Sequence, residues 1–170
     1  RLRASLLRRD GRLVEASFED AVQGVATRLR DALDHGGPGT IAGLATPRAT
    51  CEEMWLFRTL FADVLRSSAL DHRVDPGSTR VAEREDALLR RRDHNPNSRG
   101  AELLLGGAPG AGDVKTILER AAAGKVKVLY LLGPEVLLRY NDPKLVEDAL
   151  AGAGFVVLHD THARASHEKV

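Results

Sequence analysis

A three-layer α/β domain with a mostly parallel β-sheet, introduced by an N-terminal β-hairpin, is the fold class this sequence predicts. Three observations carry that expectation. Two stretches, "VKVLYLL" (126–132) and "FVVLHD" (155–160), are apolar on both faces, the pattern of strands buried in a parallel sheet. Helix-period segments alternate with strand-like ones along the chain, which is how βα units with right-handed crossovers are written. Asp10-Gly11 stands between two short apolar runs and favours a tight hairpin turn. All of 1–170 reads as one domain, with an irregular segment at 76–100.

The elements follow in order. After the hairpin in 4–17, Ser17 can cap a helix whose first turn carries Glu19 and Asp20, where the helix dipole favours acids. Phe18, Ala21, Val22, Val25, Leu29, Ala32 and Leu33 recur at helical spacing, so 18–35 is predicted as an amphipathic helix closed by the glycines of "HGGPG". "TIAGLAT" (40–46) is short and apolar, a strand. Thr50 then caps a helix over 51–66, with Glu52 and Glu53 in its first turn and an apolar face that includes Met54, Trp55, Phe57 and Phe61. "ALDHRVD" (69–75) is a weak strand, and a short helix is predicted within 81–92. The run "HNPNSRG" reads as neither helix nor central strand, because of its proline and turn formers. Asp113 caps the next helix, which Gly124 closes, ahead of the strand 126–132. Asp142 with Pro143 opens another helix before the strand 155–160.

Composition excludes several classes of function. Apolar residues make up 43% and charged residues 29%, which suits a globular chain and argues against disorder. The formal net charge is +1 with acids and bases interspersed, so no field recruits nucleic acid or an anionic membrane. Aromatics are only 4%, so the core is expected to rest on Leu, Val and Ala. A single cysteine, Cys51, excludes an internal disulfide and any cysteine-based cluster. No apolar run is long enough to span a bilayer and no signal peptide is recognised, so a reducing, intracellular setting is expected. The one methionine is Met54 and the chain opens at Arg1, so a piece of a longer polypeptide is expected.

Few motifs carry chemistry. "GGAPGAG" (106–112) could bring backbone amides to a phosphate at a helix N-terminus. A Walker loop would place Lys after the last glycine, but Gly112 is followed by Asp113. Gly107, Gly110 and Gly112 also give the dinucleotide spacing in reverse, so a flexible loop feeding a helix cap is the favoured reading. "HDTH" (159–162) lies where a strand of an α/β sheet ends, the usual place for ligands. His159, Asp160 and His162 could touch a metal, yet no full ligand set can be named with His35, His72 and His94 on separate segments. Cys51 sits in the first turn of a helix, a position that lowers thiol pKa, or is simply a small residue in a packed helix start. Trp55, Phe57 and Phe61 read as core, and the charge of 80–92 as a solvated face or a surface against a partner protein. No Ser-His-Asp set or paired-carboxylate pattern emerges, so no catalytic residue and no metal ligand is assigned.

The order of motifs adds a resemblance. "NSRGAELLLGGAP", "AAAGKVKVLYLLGPEVL" and "LAGAGFVVLHDTHARAS" resemble segments of the molybdopterin oxidoreductase family: "N-x-x-G-A-x-x-x-G-x-x-P", "G-K-I-K-A-L-Y-L-L-G-x-N-P" and "F-V-V-x-Q-D-x-F-x-T-E-T-A". "LLRRDGRLVEASFEDAVQGVATRL" and "PRATCEEMWLFRTLFADVLRSSALDHRVD" are similar to its front end. The branch most resembled is the molybdopterin-like domain in the large iron–sulfur subunit of NADH–quinone oxidoreductase, respiratory complex I. The family's Gly-Glu-Asn-Pro turn stands here as Gly133, Pro134, Glu135 and Val136, and its "T-E-T-A" as Arg164, Ala165, Ser166 and His167. Two βα units and a large insertion of the family are replaced by 75–100, and its upstream cysteine cluster is absent.

The resemblance implies a Rossmann-like domain in a complex that passes electrons from NADH through iron–sulfur clusters to quinone. It implies a non-catalytic structural role here, with no cofactor in this piece and vestigial cofactor positions at Gly107, Gly133, Glu135 and Asp160. Partners would be other subunits or domains of the respiratory complex, with no nucleic acid and no membrane insertion. The setting implied is the cytoplasmic, inner face of the membrane, in a peripheral arm. One alternative is a fragment of a formate-dehydrogenase-like or nitrate-reductase-like molybdoenzyme that keeps a partial pterin dinucleotide site. Another is a free-standing nucleotide-binding domain.

Overall fold

The computed structural model describes residues 1–72, 95–106 and 113–162. Strands β1 (Ser5–Arg9) and β2 (Arg12–Ala16) form the antiparallel hairpin, in a register running from Ser5 opposite Ala16 to Arg9 opposite Arg12. Its two-residue turn needs positive φ at both positions, and Asp10 and Gly11 supply φ of 50° and 77°. Helix α1 (Phe18–Gly36) begins where the Ser17 hydroxyl accepts from Asp20 N–H at 3.0 Å and ends at Gly37, φ 75°. A short 3₁₀ turn (Pro38–Thr40) leads into β3 (Ile41–Ala45).

The main sheet is parallel throughout, in the order β4-β3-β5-β6, with β4 at Leu70–Asp71, β5 at Val128–Leu132 and β6 at Phe155–His159. Alternation along the strands splits the core into two layers. Ile41, Ala45, Val128 and Leu132 face one side, against Leu29 and Ala32 of α1 and Met54 and Phe57 of α2 (Cys51–Arg58). That side is completed by α3 (Ser98–Leu105) through Ala101 and Leu105. Ala42, Leu44, Leu129 and Leu131 face the other side, against α4 (Val114–Ala122), α5 (Glu135–Arg139) and α6 (Pro143–Gly152). The three-layer α/β expectation and the leading hairpin are therefore both present. Gly43 is the narrow point of β3: a Cβ there would lie 2.6 Å from the Phe61 ring. That closeness lets Phe57, Phe61 and Tyr130 stack as one aromatic group, with Tyr130 edge-on to Phe57 at 5.3 Å.

Several local expectations need correction. The helix over 51–66 is α-helical only to Arg58 and continues as a π-helical segment, Thr59–Val64, ending at Arg66 with φ 57°. The wider turn shifts the phase of the apolar stripe, so Phe61 and Leu65 stay buried while Val64 is exposed. Trp55, read as core, is 53% exposed on the outward face of α2. In the "HNPNSRG" run, Ser98, Arg99 and Gly100 open α3; Pro96 stands just outside, before the cap residue Asn97, where it breaks no helical hydrogen bond. Helix α5 is a short element beyond those the sequence predicts. The strand 155–160, expected to be buried, is half-buried because β6 is an edge strand. The helix expected within 81–92 lies outside the described residues. No helix among the described residues is long and apolar enough to cross a membrane.

Candidate functional site

From β3 the chain moves outward to β4 on one side, and from β5 to β6 on the other. The carboxyl ends of β3 and β5 therefore flank the topological switch point, the crevice where open α/β sheets take ligands. Leu44, Ala45, Thr46, Val114, Gly133, Glu135 and Val136 line it, and it admits water-sized spheres over only about 10 Å³, the room of one water molecule.

Glu135 starts α5 and is only 8% exposed. Its Oε1 lies 3.5 Å from Nε of Arg48, which comes from the β3–α2 loop, so the pair bridges the mouth of the crevice. Its Oε2 is buried with no hydrogen-bond partner among the described residues. Gly133 makes this packing feasible: φ is +92°, and a Cβ would stand 2.5 Å from Thr46 Cγ2 and 2.6 Å from Glu135 Oε2. Gly133 N–H donates to His159 O at 2.9 Å, tying the end of β5 to that of β6. The Thr46 hydroxyl accepts from Arg48 N–H at 3.1 Å.

Three helix N-termini, those of α2, α4 and α6, are capped by the chain's own side chains. On α2, Thr50 and Glu53 form a reciprocal capping box, with hydrogen bonds of 3.2 and 2.8 Å. On α4, Asp113 accepts from Thr116 N–H at 2.8 Å, and Asp71, from the end of β4, accepts from Val114 N–H at 3.0 Å. On α6, Asp142 accepts from Leu145 N–H at 3.0 Å. Asp71 is fully buried and also accepts from His72 N–H at 2.7 Å; the His72 ring stands 3.5 Å from Glu102 of α3. At α4 and α6 the first-turn amides that would greet a phosphate are thus engaged by carboxylates, whereas α3 and α5 carry no side-chain cap.

Of the residues singled out in the sequence, Gly133 and Glu135 meet in the crevice. Asp160 instead folds onto its own loop past β6, accepting from Thr161 N–H at 2.6 Å and His162 N–H at 3.3 Å. Gly107 lies outside the described residues. His159 ends β6 and His162 bonds Thr161 at 2.8 Å; among the described residues no three His, Cys, Asp or Glu side chains converge as metal ligands. Cys51 is exposed at the start of α2. Sequence reasoning missed Asn97, which holds the loop carrying Arg48: its N–H donates to Pro47 O at 3.1 Å and its side-chain amide to Ala49 O at 3.0 Å. Gly100 completes this clamp, since a Cβ there would come 2.3 Å from Asn97 Oδ1. The one signal for both was their place in the "N-x-x-G-A" segment.

Fold and crevice together define a parallel α/β domain whose polar groups gather at the switch point. No protein-family model matches the chain. A stretch of 61 residues, 36% of the chain, is 34% identical to a nitrate reductase of Symbiobacterium thermophilum, and spans 8% of that protein's length. This is a coarse family link to an oxidoreductase, in keeping with the resemblance of the motifs to molybdopterin oxidoreductases.

Proposed function

We propose that this chain is a non-catalytic structural domain of molybdopterin-oxidoreductase type, in which the dinucleotide crevice has closed. The observation that carries this reading is the set of carboxylates at the carboxyl edge of the sheet. Asp71 and Asp113 occupy the N-terminus of α4, and Glu135 fills the crevice against Arg48. A diphosphate seated there would meet like charge. Two unit charges 4 Å apart repel by about 4 kcal/mol at an effective dielectric of 20. The space between the described lining residues has room for about one water molecule, far short of a pterin dinucleotide. Membership of the large iron–sulfur subunit of NADH–quinone oxidoreductase is the finer part of the proposal and rests on the order of the motifs. In that setting the domain would pack against neighbouring subunits of the peripheral arm and hold neither cluster nor redox centre.

A second reading is favoured by the nitrate reductase similarity: a fragment of a molybdopterin-dependent enzyme that keeps part of a pterin dinucleotide site. In that case the Arg48–Glu135 pair would part to admit the ligand, and Glu135 Oε2 would gain a donor from it. Calorimetric titration with guanosine diphosphate, the nucleotide half of such a cofactor, separates the two readings. The closed crevice predicts no saturable heat. One-to-one saturation that is lost in Glu135→Ala would overturn it in favour of the second.

A further inference from the structure

We draw no further inference here: the strongest candidate, the outer edge of β6 in the main sheet, carries nothing because nothing in the structure shows what covers it.

Discussion

At Gly133 two constraints coincide, a left-handed backbone and a space already filled by Thr46 and Glu135. Gly133→Ala is therefore expected to cost about 2–4 kcal/mol, the sum of backbone strain and overpacking, read as a lowered midpoint in urea unfolding. The Arg48–Glu135 pair makes a prediction of a different form. Arg48→Ala leaves a buried carboxylate without its cation and should destabilise by about 1–3 kcal/mol. Adding Glu135→Leu should recover most of that loss; a double variant as unstable as the sum of the two single ones would contradict the pairing. Tyr130 supplies the pH dependence. Burial raises its pKa above the ordinary 10.0, so the folded state holds the phenol proton more tightly than the unfolded chain. That contribution is fully present below the unfolded value and is lost as pH rises past it, so stability should fall in the alkaline range. Tyr130→Phe should flatten that alkaline slope in unfolding measured across pH. Gly133 and Glu135 were legible as positions of a motif. What Glu135 does was not, because its burial follows from Arg48, 87 residues away in sequence and brought close only by the pairing of β3 with β5.

The elements most legible in the sequence are those whose signals are local. Asp10-Gly11, Ser17, Thr50, Asp113 and Asp142 each act on neighbours within a few residues, and each appears in the structure in the role its type implies. Features set by tertiary packing were not legible. The π turn after Arg58 answers to where Phe61 must go, against Gly43 of β3, so Val64 leaves the core face. Helix α3 was hidden behind Asn95, Pro96 and Asn97, turn formers that end up before the helix and not within it. Asn97 also joins two elements, since it grips the Pro47 and Ala49 carbonyls of the β3–α2 loop. Asn97→Ala should lower stability by about 1–2 kcal/mol. It should also speed amide hydrogen exchange from 48 to 51 more than in β5; uniform acceleration would argue against a local clamp.

In the whole molecule, the fold class was legible because buried parallel strands are apolar on both faces, and Leu129 and Leu131 show this by packing opposite to Val128 and Leu132. Strand order was not, since nothing local says that β5 inserts beside β3 and leaves β4 and β6 as edges. The candidate site follows from that order, for only at the β3/β5 boundary do Thr46, Gly133 and Glu135 converge. Beside it, Asp71, from a two-residue strand, reaches across to cap α4 at Val114. The most direct test of a cofactor-free structural domain is native mass spectrometry of the purified chain, with molybdenum, tungsten and iron measured on the same sample. The account predicts the mass of the bare polypeptide and no stoichiometric metal. A bound mass equal to a pterin dinucleotide, with metal in proportion, would contradict it and make Gly133 and Glu135 the wall of an occupied site.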